Sequence, residues 1–379
     1  MAYSDLKKLK KVDVKESEVI FVRNLVVGND AFAVKTFLDL KEKLGEEVKL
    51  LTNTELTKEH LRIKGPSSIR GLSNINYIKD NFSEYVLSEA SDMPVFFKDL
   101  KLKDFGGRSK SETLLWDEEY YSTPALHFDY DKYFSFLRDE ELIKKINEES
   151  FNNLITHTKQ IEPEDLVENA HHEVECANGT IYRVENLYWA MGPEFYKECY
   201  KNMNQLSDSF IEFCESTATP CSLFIKLVFD KPITDLEKTL FIPLSYTHDW
   251  GHFIGDFQEE EGSQVVEFLH FVDKNSTSEE DLSRKIRNLK KNLEKIFATS
   301  KDVSFKEFIT LTENTMSLKI DDSIYAQTKG ENKNLTFISF NAPLEVSLKE
   351  DGSIADSCEF LTHFARALKG QEELAKILS

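Results

Sequence analysis

Apolar positions change their spacing several times along the chain, most sharply between Glu18 and Asn53. Asn24-Leu25-Val26-Val27-Gly28 is a continuous apolar run that ends at a glycine, the pattern of a buried parallel strand. Apolar residues at Phe32, Val34, Phe37, Leu38 and Leu40 then follow helical spacing, and Gly45 marks the helix end. Val48-Lys49-Leu50-Leu51 predicts a second strand. The stretch therefore reads as strand, glycine turn, helix and strand, a βαβ unit.

Downstream the signal is mixed from Thr54 to Asp104, with a turn at Gly65-Pro66-Ser67-Ser68. Gly106-Gly107-Arg108 reads as a surface turn, and Leu126–Leu137 as a helix starting after Pro124, continued by Leu142–Ile146. Leu154-Ile155-Thr156, His172–Cys176 and Ile181–Gly192 predict a second αβ portion, with a hairpin turn at Ala177-Asn178-Gly179-Thr180. Leu187–Gly192 is another apolar run that ends at a glycine, and Phe195–Cys214 predicts a helix. Beyond Pro220 the spacing changes to two. Ser222–Phe229, Leu240–Leu244, His252–Phe257 and Gln264–Val272 predict an antiparallel sheet. A helix capped at Thr277-Ser278-Glu279-Glu280 carries the stripe Leu282, Ile286, Leu289, Leu293 and Phe297. Leu335–Phe340 predicts a late strand and Ile354–Leu368 a closing helix.

This order predicts an α/β fold, with a Rossmann-like dinucleotide-binding lobe and an antiparallel-sheet lobe with helices. The expected division gives residues 17–95, 150–215 and 325–379 to the first lobe, and 96–149 and 216–324 to the second. With 379 residues, 40% of them hydrophobic and 28 of them Phe, the chain can bury a core of that size. A formal net charge of −20 argues against a nucleic-acid partner, which needs a basic face. No apolar run reaches the roughly 20 residues of a membrane span, and the lysine-rich start lacks the apolar core of a signal peptide. Five cysteines, at 176, 199, 214, 221 and 358, form no CxxC pair. That count predicts neither a disulfide framework nor a structural zinc, and a cytoplasmic setting.

Taken in sequence, four features resemble the flavin-containing amine oxidases and protoporphyrinogen-oxidase-like proteins. Leu25–Ala33 resembles the opening dinucleotide fingerprint. Asn178-Gly179 followed by Leu187–Gly192 resembles the strand that ends in an Ala-Thr-Gly-type turn. Glu267–Phe297 resembles the substrate-lobe strand and helix, and Leu335–Leu368 the last FAD strand and helix. The resemblance implies an FAD site with Gly28 and Ala33 against the pyrophosphate, Thr52 near the adenosine ribose and Gly192 at the edge of the cleft. It also implies a late Gly-Asp pair, which falls at Ser339-Phe340 or Phe340-Asn341 and is kept in neither alignment.

Two further departures bear on that site. The second glycine of G-x-G-x-x-G lets backbone approach the pyrophosphate; here it is Asp30, a carboxylate facing two phosphates. The acid expected at the ribose is replaced by Thr52, with Glu55 beyond the strand end. Together these predict a degenerate relative of FAD-dependent amine-oxidase-like oxidoreductases. Its FAD site would be lost or remodelled, and its role would be to bind a small-molecule ligand or a protein. The alternative is an active flavin-dependent oxidoreductase acting on an amine or other apolar small molecule, with no catalytic base identified. An NAD(P)-dependent enzyme is a weaker reading, because Asp30 opposes that pyrophosphate equally. His248-Asp249-Trp250-Gly251-His252 with Asp256 has the donors of a metal site, yet its glycine and tryptophan predict a polar turn and no metal. His171-His172 predicts alternating strand faces rather than catalysis. Cys214 and Cys221 predict small buried hydrophobes.

Overall fold

The structure, a computed structural model, describes residues 18–61, 67–89, 95–98, 101–104, 125–162, 169–217, 221–236, 238–243, 252–260, 262–272, 278–312, 320, 322–328, 331–346, 361 and 363–377. The predicted βαβ unit is present as β1 (Val19–Val27), α1 (Ala31–Leu44) and β2 (Val48–Thr52). β1 and β2 pair in parallel, with Asn24 opposite Val48 and Val27 opposite Leu51. Gly45, at φ 66°, takes the helix C-cap, and its N–H donates to the Lys41 carbonyl.

β1 lies between β2 and the strand Ile181–Trp189 in a seven-stranded sheet. Ile181–Trp189 is paired along its first half by His172–Cys176, antiparallel, and along its second half by Leu335–Phe337, parallel. Apolar cores fill both faces of this sheet. On one, Val26, Val34, Phe37 and Leu50 pack with Ile143 and Ile146; on the other, Leu25, Val27, Trp189, Tyr196, Phe210 and Phe337 pack together.

The second seven-stranded sheet contains the predicted antiparallel strands, observed as Cys221–Phe229, Leu240–Pro243, His252–Glu260 and Ser263–Val272, joined by Val95–Lys98, Lys101–Asp104 and Phe305–Thr312. One face carries Leu223, Ile225, Leu227 and Phe268 and is covered by Leu289 and Leu293 of the helix Glu279–Ile296. Ser278 caps that helix by accepting the Asp281 N–H at 3.3 Å. A three-stranded sheet of Ser68–Ile69, Leu126–Phe128 and Val86–Glu89 completes the strands.

Local expectations fail at four places. Leu126–Phe128 is a strand, not the start of a helix; Asp129 then caps only the short helix Tyr130–Tyr133. The region expected as one helix over Phe195–Cys214 is two, Pro193–Cys199 and Asp208–Ser216, because Ser207 caps a fresh start by accepting the Phe210 N–H at 3.1 Å. The late strand ends at Phe337, where a turn closed by the Ala342 N–H on the Ser339 carbonyl begins. The closing helix runs from His363 to Ile377; residues 354–360 of its expected span lie outside the described residues. Gly106-Gly107-Arg108, His248-Asp249-Trp250-Gly251 and Cys358 also lie outside them. Among the described residues, no helix is long and apolar enough to cross a membrane, and no group of three or more His, Cys, Asp or Glu is arranged to hold a metal.

Candidate functional site

The carboxyl ends of the parallel strands meet at one edge of the first sheet, where open α/β sheets form their ligand crevice. The Gly28 N–H donates to the Leu51 carbonyl at 3.1 Å, the Ala190 N–H to Val27 at 2.8 Å and the Ile338 N–H to Trp189 at 2.8 Å. These bonds bring together the turns that carry Gly28, Asp30, Thr52, Gly192 and Asn341.

Gly28 sits at φ 152°, and a Cβ there would lie 2.9 Å from Ala190 Cβ and 3.0 Å from Ala33 Cβ. Both Gly28 and the small Ala33 are thus needed for α1 to start this close to the sheet. Asp30 is the N-cap of α1, and its Oδ1 accepts the Ala33 N–H at 2.8 Å. Burial pushes its carboxyl up to about 6, against the downward pull of the Ala33, Phe32 and Asp30 backbone N–H groups. A helix N-terminus with free amides is an anion seat; here a side chain of the same chain takes it.

Thr52 is buried, and its hydroxyl donates to the Phe151 carbonyl at 3.4 Å. The next amide, Asn53 N–H, donates to Asn29 Oδ1 at 2.9 Å, so Asn29 ties the first turn to the end of β2. Gly192, at φ 82°, caps Pro193–Cys199, and its carbonyl accepts the Trp189 indole N–H at 3.0 Å. Asn341 is buried; its Nδ2 donates to the Thr217 carbonyl at 3.0 Å, while its Oδ1 has no partner. Beside it, Phe340 packs edge-on against Phe32 of α1 at 5.2 Å between centroids. Arg366 holds this segment through the Ala342 carbonyl at 2.6 Å and a buried ion pair with Asp322, which in turn accepts the Leu344 N–H at 3.0 Å.

Sequence reasoning missed Asn29, Arg366 and a polar network between the three-stranded and antiparallel sheets. There Arg70 and Asp256 form a buried ion pair, and Thr239 donates to Asp256 Oδ1 at 2.8 Å. Burial pushes Asp256 upward, but the Arg70 guanidinium, His127 and hydrogen bonds from Arg70 and Ser68 hold it below the usual carboxylate range. Ser67 donates its N–H and hydroxyl to Glu267 Oε2 at 2.7 and 2.9 Å. Gln258 Nε2 donates to His127 Nδ1 at 2.8 Å, and burial lowers that imidazole's pKa. Asp256 had drawn attention only as a metal-type carboxylate; no local spacing pairs it with a residue 186 positions away.

No family model matches the chain, and no curated protein matches it in sequence. Solved structures do. An oxidoreductase from Methanosarcina mazei is 11% identical with a TM-score of 0.52, over 94% of this chain and 100% of that one. Putrescine oxidase, in a variant from a redesign of its cofactor binding, is 9% identical with a TM-score of 0.56, over 95% and 99%. Cyclohexylamine oxidase from Brevibacterium oxydans IH-35A is 9% identical with a TM-score of 0.56, over 96% and 99%. At these identities the likeness is one of fold, and the chain has the mixed α/β fold of these oxidases, the fold its motif order anticipated.

Proposed function

We propose that this chain keeps the amine-oxidase fold without a working FAD seat, and acts by binding a small ligand or another protein. The observation that carries the reading is the Asp30 carboxylate on the Ala33 amide at 2.8 Å. A diphosphate would have to displace it from the helix N-terminus and then sit beside its charge. Two unit charges about 4 Å apart repel by about 1 kcal/mol in water and by more in a partly buried crevice.

The remaining contacts point the same way. Thr52 is turned to Phe151, the Asn53 amide is taken by Asn29, and Phe340, which falls at one or other position of the expected Gly-Asp pair, is packed on Phe32. The residues present therefore do not fit FAD. The turns around Asp30 hold further acceptors, the buried Oδ1 atoms of Asn53 and Asn341, which have no partner among the described residues. A ligand that opened these turns would meet acceptors and would need N–H or O–H donors, which a dianion lacks.

The second reading, an active flavin-dependent oxidoreductase of amines or other apolar small molecules, draws on one feature. Gly28 and Ala33 still bring α1 tight against the strand ends, as a dinucleotide fingerprint requires. Purified protein separates the two. Colourless protein that releases no flavin and shows no saturable FAD binding supports the binding role; stoichiometric bound flavin overturns it. Asp30→Gly is expected to raise FAD affinity, and an unchanged affinity would show that the carboxylate does not guard the seat.

A further inference from the structure

The strand Phe305–Thr312 ends the order of the antiparallel sheet, and among the described residues no strand pairs with its outer edge. Its inner edge is in continuous antiparallel register with Cys221–Phe229, from Ser222 opposite Thr312 to Phe229 opposite Phe305, without a bulge. The outer backbone edge is therefore equally regular. Sheets ordinarily protect such an edge with proline, a bulge or several charges. This one carries a single Lys306 and a single Glu307, with Phe305, Phe308, Ile309 and Leu311 exposed at 41%, 48%, 46% and 41%.

We propose that this edge pairs with the same strand of a second copy, joining two antiparallel sheets across a two-fold axis. The occupant follows from self-complementarity. A two-fold perpendicular to the sheet keeps each face on its own side, so the register must centre on a residue, since a slip by one position would swap the faces. Centring on Glu307 or Lys306 sets like charges opposite each other. Centring on Phe308 sets Phe308 against its own copy, Phe305 against Leu311, Lys306 against Thr310 and Glu307 against Ile309. Every exposed apolar side chain then gains a cross-strand neighbour, and no like charges stand opposite.

Charge favours the same occupant. On a chain of net charge −20 this strip is neutral, because Lys306 offsets Glu307. Glu307 is already answered within its own chain by Lys290 at 2.5 Å. Two acidic copies thus meet along a segment that adds no repulsion of its own, with backbone hydrogen bonds supplying register and the aromatic and aliphatic pairs supplying burial.

Sedimentation and cysteine cross-linking test this on the full chain. The parent is expected to show a concentration-dependent dimer at micromolar protein. Phe308→Lys with Ile309→Lys, both at exposed sites, should raise its dissociation constant more than about thirtyfold with unchanged circular dichroism. In a Cys358→Ser background, mild oxidation of Phe308→Cys should give a covalent dimer, because that position meets its own copy, whereas Lys306→Cys should not. A parent that stays monomeric throughout, or cross-linking that is equal at both positions, overturns the proposal.

Discussion

The Asp30 carboxylate lies 2.8 Å from the Ala33 amide, so the first turn of α1 is capped from within the chain, at the kind of helix start where dinucleotide-binding βαβ units seat a phosphate. One residue thereby does two things. It satisfies an amide that would otherwise be orphaned, and it places a partly buried carboxyl at the start of the helix.

Those two effects separate by substitution. Asn caps a helix as well as Asp does, so Asp30→Asn keeps the cap and removes the charge. The raised carboxyl means that the native state holds its proton more tightly than the unfolded chain. Its favourable contribution is complete below about pH 4 and is lost as pH rises through about 6. Asp30→Asn should therefore match or exceed the parent in urea midpoint near neutral pH, with its advantage shrinking toward pH 4. Asp30→Ala should sit about 1 kcal/mol below Asp30→Asn at either pH, because both lack the titrating carboxyl and only the cap differs.

Gly28 tests the close approach beneath that cap. In Gly28→Ala the new Cβ would meet Ala190 and Ala33 at 3.0 Å or less, with backbone at φ 152°. Overpacking of this kind costs about 1–3 kcal/mol, and the strained backbone adds to it. Denaturant melts should show at least that loss. A neutral outcome would mean that α1 can retreat from the sheet.

The βαβ unit was legible because Leu25, Val26 and Val27 are buried on both faces of a parallel strand, so burial leaves a continuous apolar run. Asp30 stood out by its place in the fingerprint, where a glycine is expected, but its role as the N-cap of α1 came only from the structure. The network of Arg70, Asp256, Thr239, Glu267 and His127 was not. Its members come from three strands and two connecting segments far apart in sequence, and a buried ion pair imposes no spacing on the chain. Leu126–Phe128 misled because its apolar and aromatic residues run on into Tyr130, Tyr133 and Phe134 at helical spacing, while the strand is fixed by distant partners at Ser68–Ile69 and Val86–Glu89.

That network gives the third prediction. Asp256→Asn leaves the buried Arg70 without its counter-charge, and breaking a buried pair costs about 3–5 kcal/mol. Replacing both partners, as Arg70→Met with Asp256→Leu, should recover most of the loss, because neither charge is then stranded. The depressed Asp256 carboxyl contributes stability above the unfolded carboxylate pKa, near 4, which is lost as pH falls below it. The double variant should therefore lose less stability in acid than the parent. A double variant as unstable as Asp256→Asn would show that packing, not charge, governs the site.

His172 carries the last prediction, and its sign opposes that of Asp30. It is fully buried beside the strand Ile181–Trp189, and its Nε2 donates to the Lys333 carbonyl at 2.8 Å, just before Leu335–Phe337. Burial pushes its pKa down to about 4, with smaller opposing contributions from the Lys333 and Asn334 backbone. The native imidazole stays neutral while the unfolded one protonates near 6.5, so stability is complete above that value and falls as pH drops toward 4. The full interval is worth about 3 kcal/mol. Asp30 acts over nearly the same interval in the opposite direction, so the two partly cancel and the parent should show a shallow profile from pH 4 to 6. Asp30→Asn should expose the His172 contribution as stability rising with pH. His172→Gln, which keeps a donor for Lys333, should expose the Asp30 contribution as stability falling with pH. Urea unfolding across that range reads both slopes, and equal slopes in the two variants would mean that neither group titrates between the folded and unfolded states.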